Sequence, residues 1–185
     1  MRPGFLGIDL ATSAVKVVVT DAQVRVLAKA SRPYPTHPPR TGWAEQSPDN
    51  WWGATQAAAK EAAAASDAKI WALGLAGQLN GFVLLDADYM PIVDAVIWLD
   101  LQAEAEAAAL IAHIPDIVAR TGNAPSAICV LPKLIWFAKH RPDVMKRARQ
   151  ILLAKDDILF RLTGSFATDP SDAGSTAMAR IGGTA

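Results

Sequence analysis

The chain has 185 residues, 18 Lys plus Arg against 18 Asp plus Glu, and 51% apolar residues. That length builds a substantial core without disulfide or metal staples, and the apolar fraction excludes a disordered chain. Zero net charge excludes a nucleic-acid backbone binder, which needs a basic excess, and the single Cys129 excludes an internal disulfide and fits a buried thiol in a reducing compartment.

The chain opens with "FLGIDLATSAVKVVV". Residues 5–10 and 15–20 are rich in β-branched side chains and predict two strands, joined by a link of hairpin length. Asp9 interrupts the apolar start, and no cleavage site follows, so no targeting segment is read here. A third strand is expected over 24–30. Residues 31–50 hold five prolines and predict an extended loop, long enough to be functional. Ser47, Pro48 and Asp49 then signal a helix start. A stripe of Trp51, Thr55, Ala58, Ala59 and Ala62 carries that helix to about residue 65, and its small face suits close packing on a sheet.

Strands are expected over 70–76 and 82–85. The longest uncharged run, 70–85, contains Gly74, Gly77, Gln78, Asn80 and Gly81. It is too short for a membrane span, so a cytoplasmic protein with no membrane partner is expected. Residues 100–114 predict an alanine-rich helix with Glu104 and Glu106 on its exposed face. Further helices are expected before "TGN", from Pro132 through "PKLIWFAKH", and in "RPDVMKRA". "QILLA" predicts a short strand and "KDDILFRLTG" a helix closed by Gly164, with Asp156 and Asp157 favouring its N-terminus. Alternating strands and helices indicate an α/β domain.

Asp9 stands at the mouth of a buried strand, beside a Thr-Ser turn. A carboxylate there can hold a hydrated Mg²⁺, and Thr12, Ser13 and the turn's N–H groups can face a phosphate, with Lys16 supplying positive charge. An ordinary hairpin with a polar turn is the plain alternative.

Further segments join this one. "GIDLATSAVKVVV", "WAEQSPDNWW" at 43–52, "ALGLAGQLNG" at 72–81, "VIWLD" at 96–100, "TGN", "PKLIW", "LLAKDDILFRLTG" and "TDPSDAGST" follow in order. The sequence thereby resembles the FGGY family of carbohydrate kinases, and most closely its xylulokinase branch, over essentially all 185 residues. The resemblance implies a ribonuclease H-like, actin-like ATPase domain, a mixed sheet with flanking helices. It implies transfer of the ATP γ-phosphate to a hydroxyl of an open-chain pentulose, with Mg²⁺. Asp9 would then orient Mg²⁺–ATP through water, Thr12, Ser13 and Lys16 would serve the phosphates, and Gln78, Leu79 and Asn80 would touch the sugar. Trp98 and Asp100 would help build that pocket.

Ala11 and Ala14 stand where the family has hairpin glycines, Asn80 where the xylulokinase loop has histidine, and Leu99 where W-N-D has asparagine. No G-D-x-x-A-A-type loop carrying a catalytic base is found, and Asp172, in "SDAGST", matches an earlier family segment. The expectation is therefore the N-terminal portion of such a kinase, with the base and the ATP-binding second domain beyond residue 185. The alternative is a non-catalytic sugar-binding or regulatory remnant. The expected partners are a small sugar and either a second copy of the chain or a missing C-terminal half.

Other features have plainer readings. Trp51, Trp52 and Trp136 fit core positions, while Trp43 and Trp98 lie near the sugar loop, where aromatic rings face C–H surfaces. His37, His113 and His140 lack metal-ligand spacing. The basic run at 139–149 reads as a solvated helix face, without nucleic-acid partners.

Overall fold

The computed structural model describes residues 1–182. Strands β1 (Arg2–Leu10) and β2 (Ala14–Thr20) form the expected hairpin. Its register pairs Leu6 with Val19, Ile8 with Val17 and Leu10 with Val15, so six apolar side chains share one buried face. The same register sets Asp9 opposite Lys16 on the other face.

Strand β3 (Val26–Pro33) pairs antiparallel with β2. It starts later than expected because Val24 is left-handed, at φ 61°, and the Asp21 carboxylate accepts the Gln23 and Arg25 N–H groups at 2.9 and 3.0 Å. It also runs into the proline-rich segment. Pro33 is tolerated because β3 is the sheet edge, where a missing N–H costs little.

After strand β4 (Glu45–Gln46), helix α1 (Pro48–Ser66) buries Trp51, Thr55, Ala58, Ala62 and Ser66 against β2 and β3. Pro48 occupies the first turn as predicted, and Asp49 there accepts from Arg161 at 2.8 Å. Strand β5 (Ala68–Gly77) then pairs parallel with β1, giving the order β3–β2–β1–β5.

The second sheet has the order β4–β7–β6–β8, with β6 (Phe82–Leu85), β7 (Ala95–Val96) and β8 (Gln150–Leu153). All four β6 residues are buried. Alternation divides them: Val83 and Leu85 join the main core, while Phe82 and Leu84 join a second cluster with Val130, Phe137 and Val144. Helices α2 (Glu104–His113), α3 (Ile117–Thr121), α4 (Val130–His140), α5 (Pro142–Arg147), α6 (Ala154–Thr163) and α7 (Pro170–Ser175) complete the chain. Among the described residues, no helix is long and apolar enough to cross a membrane.

Several expectations are corrected here. The helix expected from residue 100 begins at Glu104, because the Asp100 carboxylate accepts the Ala44 and Gln102 N–H groups and ties that end into a turn. Glu106 is buried, not exposed, and accepts from Lys139 of α4 at 3.1 Å. Asp156 and Asp157 sit in the first turn of α6 as expected, but neither side chain caps it. Their carboxylates are buried and turn to Lys155 at 2.8 Å and Arg161 at 2.9 Å. Helix α7 was not expected.

Candidate functional site

The site lies where β1 and β5 end and the chain crosses to the second sheet. Gln78 N–H donates to Leu10 carbonyl at 2.8 Å, so the hairpin and the loop after β5 leave the sheet together. Gly77 gives a close fit at this exit, since a Cβ there would lie 3.0 Å from the Lys155 Cβ of α6. Beyond it opens a cavity of about 450 Å³ whose wall includes Asp9, Thr12, Gln78, Leu79, Asn80 and Trp98.

Six of the residues singled out from sequence therefore meet at one cavity. Three do not. Lys16 faces the open side of the first sheet, in a separate concavity that Asp9 also borders. Ser13 is exposed, and its carbonyl accepts the Tyr34 N–H at 3.2 Å. Asp100 is fully buried behind the cavity, where it supports the wall rather than lining it. Trp43 packs edge-on against Trp136, with ring centroids 5.1 Å apart, and is absent from the wall.

The hairpin tip is held from below. The Tyr34 hydroxyl donates to the Ala11 carbonyl, and burial with the Asp9 carboxylate nearby pushes this phenol above its usual range. Neither Ala11 nor Ala14 has a positive φ. The alanines therefore carry no left-handed strain, and the turn forms without the family's glycines. Trp98 Nε1 donates to Thr12 Oγ1 at 2.9 Å. That bond uses an acceptor position of the hydroxyl, leaving the Thr12 proton free to donate to a ligand oxygen.

The loop after β5 holds two buried oxygens: Gln78 Oε1 and Asn80 Oδ1 have no hydrogen-bond partner among the described residues. Such groups cost free energy unless satisfied, so each wants a donor. Asn80 also adopts φ 58°, a left-handed conformation that Asn tolerates better than most residues.

Three supporting residues carried no obvious sequence signal of their role. Gln46 is fully buried and bonds Thr12, Thr36, Trp51 and Gln78. Tyr34 holds the turn. Lys133 is also fully buried, and its ammonium donates to the Ile97 carbonyl at 2.7 Å and the Ile128 carbonyl at 3.1 Å. Ile128 and Trp98, the residue after Ile97, both line the cavity, so Lys133 staples two of its walls. Burial lowers this lysine to about 8, against the opposing pull of the Asp100 carboxylate. Polar residues at fully buried positions were the available clue, but burial is not readable without the fold.

A hairpin facing a polar-floored cleft between two sheets belongs to the actin-like ATPase fold, and structures of this kind match it. A xylulose kinase from Rhodospirillum rubrum superposes with a TM-score of 0.92 at 28% identity, over 97% of this chain and 38% of that one. A gluconate kinase from Lactobacillus acidophilus superposes with a TM-score of 0.94 at 25% identity, over 98% and 37%. The chain belongs to the FGGY family of carbohydrate kinases, whose N-terminal domain it matches over residues 5–183. Among its relatives, the xylulose kinase of Escherichia coli strain K12 is 38% identical over 175 residues, which make up 93% of this chain and 36% of that kinase. The xylulose kinase of Bacillus subtilis strain 168 is 33% identical over 183 residues, with 95% and 36% covered. The chain thus spans little more than a third of these relatives' length.

Proposed function

We propose that residues 1–185 form the sugar-binding and phosphate-orienting N-terminal portion of an ATP-dependent kinase that phosphorylates a hydroxyl of a xylulose-like pentulose. The observation that carries this reading is the cavity itself. Its wall joins the amide residues Gln78 and Asn80, the free hydroxyl proton of Thr12, the Asp9 carboxylate and the apolar face of Trp98. That mixture suits a polyhydroxylated molecule, whose hydroxyls donate and accept while its C–H faces meet an aromatic ring.

Each residue then has a task. Gln78 and Asn80 accept from sugar hydroxyls and fix the substrate's register. Thr12 donates to an oxygen at the phosphate side. Asp9 fits a hydrated Mg²⁺, an ion that takes oxygen donors and keeps several waters. When bound, Mg²⁺–ATP supplies the phosphoryl group and the charge that screens it. The protein's contribution is positioning and electrostatic complementarity. Asp9 is the acidic residue of the cavity wall, and Asp172 is bonded to Lys155 instead. We therefore assign the general base to sequence beyond residue 185, supplied by the same or a separate chain. The absence of left-handed strain at Ala11 and Ala14 supports this reading over the remnant alternative.

Calorimetric titration of the chain with D-xylulose, with and without Mg²⁺–ATP, tests the proposal. Saturable ketose binding is expected. A folded chain that binds neither D-xylulose nor related pentuloses overturns it.

A further inference from the structure

A backbone nitrogen can close on the side-chain carbonyl carbon of an asparagine that precedes it. The side chain of the nitrogen's own residue is the main hindrance, and glycine has none. The chain has three asparagines, Asn50, Asn80 and Asn123, and only Asn80 precedes a glycine.

The structure separates the three further. Asn50 lies in the first turn of α1, and the nitrogen after it, the Trp51 N–H, donates to the Ser47 carbonyl at 3.3 Å. The Asn123 amide donates to the Gly174 carbonyl, and the Asn123 backbone N–H donates to Thr121 Oγ1 at 3.3 Å. Asn80 is held less. Its Oδ1 has no partner, and the Gly81 N–H makes no hydrogen bond of ordinary geometry among the described residues. Both residues belong to the turn between β5 and β6. Leu79 of that turn is 47% exposed and lines the cavity with Asn80, so water reaches it.

The fold does not itself demand glycine at 81. Gly81 has no positive φ, and a Cβ there would meet Ala154 Cβ, Ile97 Cα and the Val96 carbonyl at an ordinary 3.7 Å. What glycine does supply is an unshielded nitrogen next to Asn80.

We propose that Asn80–Gly81 is a self-modification site: the Gly81 nitrogen closes on Asn80 Cγ, and a loop bordering the cavity exchanges a neutral amide for a carboxylate. In the first step the N–Cγ bond forms, the Cγ–Nδ2 bond breaks, and ammonia leaves with the Gly81 amide proton. The product is a cyclic succinimide. Water then opens the ring. Attack at one carbonyl gives aspartate, and attack at the other gives isoaspartate, whose main chain runs through the β-carbon. Water is the only co-reactant, and nothing is oxidised or reduced.

The product disturbs the site. Asn80 Oδ1 is buried without a donor, so a carboxylate there is an unpaired buried charge. Asp9 borders the same cavity and adds like-charge repulsion. In isoaspartate the extra main-chain carbon falls between β5 and β6, which belong to different sheets. Weaker ketose binding follows, and this part alone rests on the sugar-site reading.

Incubating the folded chain at mildly alkaline pH, with peptide mass spectrometry and isoaspartate detection, tests the chemistry without a ligand. Isoaspartate is expected at position 80, with Asn50 and Asn123 intact, at a rate proportional to hydroxide. Gly81→Ala, which the backbone accepts, should slow the conversion at least about tenfold by placing a Cβ beside the nitrogen. The proposal is overturned if Asn80 stays intact in the folded chain while the urea-unfolded chain converts it. Conversion of Asn50 or Asn123 at the same rate overturns it too, as does a Gly81→Ala chain that converts as fast as the parent. Aged chain and an Asn80→Asp variant, titrated with D-xylulose, should bind at least about tenfold more weakly than fresh parent. Equal binding by aged and fresh chain overturns the stated effect on the site. If isoaspartate forms but the fresh chain binds no D-xylulose, the modification stands and the sugar reading fails.

Discussion

Asn80 answers two demands with one side chain. Its left-handed backbone favours Gly, Asn or Asp, and its buried Oδ1 waits for a donor. Substitution can separate the two. Asn80→Gly is expected to keep the melting temperature within a few degrees while weakening ketose binding. Asn80→Ala should weaken binding equally and also lose about 1 kcal/mol of stability, because Ala lacks the short polar side chain that lets Asn adopt a positive φ. Thermal melts and titrations of both variants check this.

Lys133 is the other residue whose environment predicts a measurable property. Its folded-state value, about 8, lies below the unfolded value near 10.5. Between these limits the unfolded chain binds more protons than the folded one, so stability should rise as pH increases from about 8. The gap corresponds to at most about 3 kcal/mol. Urea unfolding of the parent and of Lys133→Met at pH 7.5 and 9.5 should show this rise in the parent and its loss in the variant. The window closes near pH 10, where Tyr34 acts oppositely: its raised folded value withdraws stability as pH climbs further. Legibility at this scale followed motif strength. Asp9, Thr12, Gln78, Leu79, Asn80 and Trp98 were found from short motifs and do share a cavity, whereas Gln46 and Lys133 stood inside motifs with no sign that they would be buried.

At the scale of elements, α1 shows what patterning can and cannot say. Ser47-Pro48-Asp49 marked its start, and the Trp51-to-Ala62 stripe marked its inner face. Ala58 and Ala62 are fully buried, so the helix lies close on β2 and β3 and has no room for larger side chains. Ala62→Leu is expected to destabilise the chain by about 1–3 kcal/mol through overpacking, while the exposed Ala64→Leu should change little. Denaturant unfolding of the pair checks this. Strands β4 and β7 were not legible at all. Each has two residues, and each exists because a partner distant in sequence lies beside it. The late starts of β3 and α2 have a similar cause, since Asp21 and Asp100 capture backbone N–H groups that local propensity would assign elsewhere.

The whole molecule has one sheet face left open. Helix α1 covers one side of the first sheet, while Phe5, Gly7, Val18 and Gly74 lie on the other. Strand β5 is a ten-residue edge, with Trp71 68% and Leu73 44% exposed. A long edge of this kind, beside apolar surface, is a template for pairing with another chain. Self-association is therefore expected in sedimentation velocity at about 50 µM, and a Trp71→Lys/Leu73→Lys variant should shift the chain toward monomer, since edge lysines oppose strand addition. A monodisperse monomer in the parent chain would contradict this.

The sequence by itself determined the α/β class, the hairpin with its acid, most element positions and the loops that meet at the cavity, because those follow from side-chain periodicity, turn chemistry and contiguous motifs. Only the tertiary structure decided which polar residues are buried, which carboxylates line the cavity and which brace it, and which side chains Gln46 joins. Those properties depend on groups brought together from β1, β4, α1 and β5, and the cost of an unpaired buried polar atom is defined only once its neighbours are in place.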